Sequence, residues 1–522
     1  MIERAIENWL TKTNERNYLR AFCQVLMHEG HRVLFTSSHG PMEQGKDVIT
    51  IAPDGVYCAY QTKTGDIKTT EWRAIEGELR ELVELPIDYP GVDKSKMHRA
   101  YLVTNGTISD PVRVQISDRN EDNVRKSRQY APLEVIAGDS LLKSFVDAQQ
   151  RFVPRNPPDL RAFLDLYLDK GTGMLPKGKL FAVLENAVFS ERPGNKSDAV
   201  DAITSSLVIT SYLLNSFEQT GNSYAIAEGW SILAASLARF VTKFSIPAAH
   251  WEDTLPIVID AIGENLARLR ADALGRSDFL EGAIQGDGGV VLRARATIVL
   301  GALACHELSA SPSAQKSPGE VVSLIRQHYS SLLFWGESSF PYLFYICRFL
   351  ETSKEERLAQ QLLDNLFIAL VDGNFKQSGQ AHAPPYYEVG EILESAMPDR
   401  IPSVDFSGWR GSSYVIRNLL EMLVRRGKRE LVANQWRRFT YCQQHEFMPD
   451  HAEDIFSWRT SEGTNASRFP NQTESWTALQ NEAQDFSAMP PIYTDFIRVL
   501  RYHILTCPHR ATPQVLRLLD RT

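Results

Sequence analysis

The sequence predicts an α/β domain over residues 1–153, followed by a large all-α region over residues 159–522. Three observations lead there. Two runs rich in β-branched and aromatic residues, VITIA (Val48 to Ala52) and VYCAY (Val56 to Tyr60), flank Pro53-Asp54-Gly55. Pro pre-sets φ and Gly supplies a positive φ, so this reads as a tight turn between two strands. Strand-like and helix-like runs then alternate as far as RFVPRNPP, Arg151 to Pro158, a Pro-rich stretch that reads as a linker. Beyond it the periodicity is helical, in runs such as KSDAVDAITSSLVITSYLLNSF and EERLAQQLLDNLFIALV, with no repeat of fixed period.

Residues from Ile2 to about Gly30 read as one helical region. Leu19, Phe22, Cys23, Leu26 and Met27 recur at the spacing of a helix face, and Gly30 follows as a C-cap. His31 to Ser37 is a first strand, and the hairpin supplies the next two. Thr70 and Glu71 open a helix through Leu85 with Trp72, Ile75, Leu79 and Leu82 on its apolar face. RAYLVTN, Arg99 to Asn105, is a continuous apolar run of the kind buried parallel strands use. Ser109-Asp110-Pro111 starts another helix, with Pro at a tolerated early position. Leu133 to Phe145 holds a last strand, a Gly-Asp-Ser turn and a closing helix.

The hairpin carries the chemistry. If it is symmetric about Asp54, Asp47 lies opposite Gln61 and shares its sheet face. Side chains alternate along a strand, so Lys63 lies on that face too. A carboxylate, an amide oxygen and an ammonium are thus gathered together. A hard divalent cation takes oxygen ligands, which Asp47 and the Gln61 carbonyl can supply. Hydrolysis needs an activated water and neutralised charge, to which a cation and Lys63 are suited.

Asp47 followed by Gln61-Thr62-Lys63 on a hairpin, within this order of elements, resembles the PD-(D/E)xK nuclease superfamily. The Gln-x-Lys form is that of Mrr-like restriction endonucleases. The resemblance covers Met1 to about Val153. It implies a restriction-endonuclease-like α/β fold and a DNA endonuclease that hydrolyses phosphodiesters with Mg2+, Mn2+ substituting. Asp47 and Gln61 would bind the metal, with the main-chain carbonyl of Thr62 as a further ligand. Lys63 would orient or deprotonate water, or stabilise the developing charge. Relatives often add a helix Glu, whose place falls near Leu19 here. Glu15, one turn earlier on the same face, is the candidate, and its plain alternative is a solvated first-turn carboxylate. Glu43, in the loop before Asp47, competes with it. The setting implied is prokaryotic restriction or anti-phage defence, with the helical region gating, targeting or oligomerising the nuclease. The partners implied are duplex DNA, a protein bound through the helical region, and a second copy of the chain. A rival reading keeps the fold without the chemistry: a lapsed nuclease core serving as a DNA-binding or scaffold subunit. Gln61 in place of the usual acid leaves that rival open.

Net charge is −8, so electrostatic contact with a polyanion has to come from local patches. Lys94, Lys96, His98 and Arg99, then Arg125, Lys126 and Arg128, with Lys68 and Arg73, are candidate phosphate contacts; a solvated loop of mixed charge is the alternative. The six cysteines form no CxxC pair and are expected to be reduced and buried. The opening MIERAIENWLTK is charged from its third residue, no run reads as a membrane span, and a cytoplasmic protein is expected. GMLPKGKL lacks the Ser or Thr and the preceding strand of a P-loop and reads as a connection. QAHAPPYYEVGE is expected to pack on the helices, and Ile455 to Ala483 reads as a long polar loop with interface-type Trp and Arg residues.

Overall fold

A computed structural model of the chain describes residues 2–37, 45–90, 92–128, 130–148, 157–276, 278–280, 288–309, 318–375, 381–395, 406–458, 465–487 and 489–521. Contacts divide it into two compact units: Met1–Gly221 with Phe244–Ile257, and Asn222–Lys243 with Val258–Thr522.

The first unit is built on a mixed sheet. Its strands are Arg32–Thr36 (β1), Val48–Ile51 (β2), Tyr57–Lys63 (β3), His98–Thr104 (β4) and Leu133–Ala137 (β5), in the order β1-β2-β3-β4-β5. β1, β2 and β3 run antiparallel to their neighbours, and β3, β4 and β5 run parallel. The hairpin register pairs Val48 with Tyr60, Thr50 with Cys58 and Ile51 with Tyr57, so the symmetry about Asp54 holds.

Helices lie on both faces. Thr69–Glu84 (α3) and Asp110–Arg125 (α4) cover one, where Trp72, Leu79, Leu82, Val112 and Ile116 pack on Ile49, Ala59, Ala100 and Leu102. Burial of this set is the main force holding the sheet together, at about 25 cal/mol per Å² of apolar surface. Each crossover helix joins parallel neighbours, as a parallel pair requires. The opposite face meets the helix Glu15–His28, where Phe22 stacks edge-on against Tyr60 with ring centroids 5.5 Å apart.

The N-terminal helix is not continuous. Ile2–Lys12 (α1) ends before Glu15–His28 (α2) begins. Thr13 and Asn14 are poor helix-interior residues, because their side chains compete for the backbone. The break is also captured from outside. The Asn105 amide donates to the carbonyls of Leu10 at 2.5 Å and Thr13 at 3.2 Å, while its oxygen accepts from the Gly65 amide at 2.8 Å. Glu15 therefore opens a helix instead of lying within one, and the end of β4 holds it there.

The expected boundary near residue 153 does not coincide with the edge of the first unit. Gly138–Asp147 (α5), Pro157–Tyr167 (α6), Lys177–Ala182 (α7) and Lys196–Leu213 (α8) all belong to this unit. The reason lies in α2, whose buried Gln24 donates to Thr204 on α8 at 3.1 Å and accepts from Thr254 at 2.9 Å. A buried amide satisfied on both ends fixes α8 to the α/β layer. GMLPKGKL leads into α7 and its Lys179 pairs with Asp165 at 2.7 Å, as suits a connection between helices.

The second unit is mostly helical. It also holds a small three-stranded sheet of Ser412–Ser413, Gln443–Phe447 and Asn465–Arg468, which an all-α expectation does not include. The stretch Ile455 to Ala483, expected as one long polar loop, overlaps the 3-10 turn Ala452–Phe456 and the helix Trp476–Gln484 and contains the strand Asn465–Arg468. Gly289–Ser309 is, by length and composition, apolar enough to cross a membrane, which corrects the expectation that no run reaches that length. Here it packs on Phe340–Thr352, with Gly301 so close to Tyr342 that a Cβ would lie 2.5 Å from its side chain. Tyr386 is buried, as expected for its loop, and all six cysteines are buried and outside any disulfide.

Asn105→Ala removes three hydrogen bonds at the α1–α2 break. The expected cost is about 1–3 kcal/mol, read as a lower urea midpoint of the first unit; an unchanged midpoint would show that the break is held by packing alone.

Candidate functional site

The site forms where β2 stops. Val48 faces Tyr60 in the ladder, yet the Asp47 amide also donates to the Tyr60 carbonyl, at 2.8 Å. Two residues on one strand against one on the other is the signature of a bulge, which re-aims side chains. The Asp47 carboxylate then takes the place of the missing next rung. Its Oδ2 accepts from the Thr62 amide at 2.6 Å, the Thr62 hydroxyl at 2.9 Å and the Gln61 Nε2 at 2.9 Å. The residue is 5% exposed, so these bonds offset the desolvation of its charge.

Gln61 is 4% exposed, and its Oε1 is buried with no hydrogen-bond partner. The amide orientation follows from chemistry: reversing it would press the oxygen against the carboxylate of Asp47. A buried acceptor without a donor is costly and calls for a ligand or water. Thr62 points its amide toward Asp47, and strand geometry sends its carbonyl the same way, past the end of β2.

The two faces of β3 contribute differently. Gln61 and Lys63 alternate with Thr62, so they share the α3 side with Ala59. Lys63 Nζ there pairs with Glu78 on α3 at 2.7 Å. From the α2 side Glu15 approaches through Thr62, whose hydroxyl lies 3.4 Å from its Oε1. The hydroxyl has one hydrogen, and the shorter contact gives it to Asp47. Asp47 and Glu15 thus converge on one hydroxyl at the tip of β3.

Charge at this tip is tightly coupled. Burial pushes the Glu15 carboxyl up to about 6; Lys63 opposes the rise and the Asp47 charge adds to it. Burial works against the Lys63 ammonium, but its bond to Glu78 and the charges of Glu15 and Asp47 win, holding its pKa above the usual lysine value. Tyr18 on α2 is buried, and its hydroxyl donates to the Lys63 carbonyl at 2.6 Å, which fixes the end of β3.

The structure therefore brings Asp47, Gln61, Thr62, Lys63 and Glu15 together. Glu43 lies outside the described residues. Glu78 and Tyr18 were missed by sequence reasoning. Glu78 sits three residues after Ile75 and four before Leu82, on the flank of the apolar stripe of α3, so a carboxylate beside a sheet-facing stripe was the available signal. Among the described residues no three His, Cys, Asp or Glu side chains form a metal-holding group. The acids here are Asp47 and Glu15, with Gln61 at the third place. That set still fits Mg2+, which needs only one or two carboxylates alongside neutral oxygens and water.

The candidate phosphate contacts are largely neutralised within the unit. Lys94 pairs with Asp88 at 2.6 Å, Arg99 with Asp54 at 2.5 Å, Arg125 with Glu121 at 2.9 Å and Lys126 with Asp122 at 2.5 Å. His98 is buried, with Nε2 at 2.7 Å from the Leu82 carbonyl. Such exposed pairs are worth about 0–1 kcal/mol, so a phosphate could displace the acids, but the resting field is weak. Lys68 and Arg73, at the start of α3, are exposed.

Comparison of the chain with protein-family models, curated proteins and solved structures finds no match.

The coupling of Glu15 gives a titration with a definite sign. A folded-state value raised by burial means that its contribution to stability is present below the ordinary 4.5 and is lost as pH rises through about 6. In carboxyl-detected NMR of the metal-free protein, Glu15 is expected to titrate near 6, lower in Asp47→Asn and higher in Lys63→Met. A wild-type midpoint in the ordinary glutamate range would remove Glu15 from the cluster.

Proposed function

We propose that the first unit is a metal-dependent DNA endonuclease of the PD-(D/E)xK type, with a restriction-endonuclease-like fold around β1–β5. The observation that carries this reading is the orphaned, buried Gln61 Oε1 beside the Asp47 carboxylate. Asp47, the Gln61 oxygen and the Thr62 carbonyl would hold Mg2+ or Mn2+, with Glu15 completing the site from α2. When bound, such a cation supplies Lewis-acid charge beside the phosphodiester.

The chain's own groups do the rest. The Gln61 amide and the two Thr62 donors keep the Asp47 carboxylate aimed before any ligand arrives. A glutamate at position 61 could not donate to Asp47 in this way. The chain gives up one negative charge and gains a preorganised carboxylate. The Lys63 ammonium, one of whose three hydrogens is used by Glu78, directs the others at the charge building on the phosphate. Glu15 would accept the proton of the attacking water.

Weaker charge at the site would make metal hold, and hence activity, dependent on substrate or partner. That supports control by the helical region, and the setting the resemblance implies is prokaryotic restriction or anti-phage defence. A second reading has its own observation. Asp47 Oδ2 is satisfied by internal donors, and the basic runs are paired. Both would suit a lapsed core acting as a DNA-binding or scaffold subunit.

Supercoiled plasmid with Mg2+ or Mn2+ decides between them. Wild type is expected to nick or linearise it, and Lys63→Ala and Asp47→Asn each to slow cleavage by about 100–1000-fold, as for loss of one preorganised charge. Plasmid left intact by wild type in both metals, with and without cellular partners, would favour the lapsed core, and cleavage surviving in Lys63→Ala would overturn the site assignment.

A further inference from the structure

We propose that Glu78 is the positioning residue that fixes the Lys63 ammonium relative to Asp47; its catalytic consequence rests on the nuclease reading above. Two contacts meet at this one residue of α3. Its carboxylate holds Lys63 Nζ at 2.7 Å. Its main-chain carbonyl lies against Gly45, two residues before Asp47, so closely that a Cβ there would fall 2.3 Å from the oxygen. Gly45 has a φ of +71°, which suits glycine and few other residues. One turn on, the buried Lys46 donates to the Glu81 carbonyl at 3.2 Å. The segment leading into Asp47 and the side chain of Lys63 are therefore both referenced to the same turn of α3.

That turn is itself well fixed. Leu79 and Leu82 flank Glu78 and are fully buried against the sheet, and Trp72 anchors the start of the helix. Lys63 has a long, flexible stem, and a lysine tied at one of its three hydrogens keeps two free to point elsewhere. The clasp thus restricts the ammonium without consuming it. Stability is not its main effect: Glu78 is half exposed, and a pair of this exposure contributes little to folding. Glu78→Gln is accordingly expected to fold, with a melting temperature within about 2 °C of wild type.

The test uses the full chain and two independent readouts. The first is the rate at which an amine-reactive acylating reagent labels Lys63, followed by mass spectrometry. Glu78→Gln should speed labelling of Lys63 several-fold, while Glu76→Gln, an exposed change on the same helix, should not. The second is Mn2+-dependent plasmid cleavage. Glu78→Gln should lower kcat by about 10–100-fold with KM unchanged, the scale of a misplacement near 1 Å, and Glu78→Asp should recover part of it. Lys63 labelling that is the same in Glu78→Gln as in wild type would overturn the clasp, whatever the enzyme does. Faster labelling with unchanged kcat would overturn the positioning role. Wild type inert toward plasmid with and without cellular partners would overturn the nuclease reading and the catalytic role with it, while the labelling arm still decides whether Glu78 holds Lys63.

Discussion

A sheet that loses a strand must find a partner for every backbone group the strand had covered. β2 ends at Val48, and the Thr62 amide on β3 is left facing the gap. The Asp47 carboxylate fills it at 2.6 Å. This one substitution, a side-chain oxygen for a ladder carbonyl, explains much of the site. It draws an acid 5% exposed into the end of the sheet. It makes Gln61 and the Thr62 hydroxyl its natural partners, and it leaves the second heteroatom of the Gln61 amide without one. The bulge at Asp47 is part of the same event, since slipping the main chain by one residue brings the carboxylate over the edge of β3.

The remaining parts supply charge and hold it in place. α2 brings Glu15 to the tip of β3 from one face, and α3 brings Glu78 from the other. Each helix has an anchor beside the site. Asn105 captures the break before Glu15, and Gly45 seats the approach to Asp47 on the carbonyl of Glu78. The result is one ammonium among three carboxylates, an excess of negative charge. Burial, with that excess, is why Glu15 holds its proton up to about 6; at Lys63 the excess overcomes burial and keeps the ammonium charged. A divalent cation would relieve both.

Much of this was legible in the sequence, for identifiable reasons. The hairpin register followed from Pro53-Asp54-Gly55 and the β-rich runs on either side, because turn chemistry and alternation are local. The crossover helix at Thr69–Glu84 was plain from periodicity, and the strand at His98–Thr104 from its continuous apolar run. The break at Thr13-Asn14 was not, since what captures it is Asn105, far away in sequence. Glu78 was hidden for the same reason: its role comes from two long-range contacts, one of them made by backbone. The first compact unit runs past the Pro-rich stretch, and composition says nothing of Gln24 reaching Thr204. In the second unit, strands of two to five residues are too short to show a period.

Direct measurement of Mn2+ binding by electron paramagnetic resonance tests the central claim, that the end of β3 is built to hold a divalent cation. The full-length protein should bind Mn2+ at a site that Mg2+ competes for, and Asp47→Asn should abolish that binding without unfolding the chain. Mn2+ that fails to bind wild type, or that binds Asp47→Asn equally well, would contradict it.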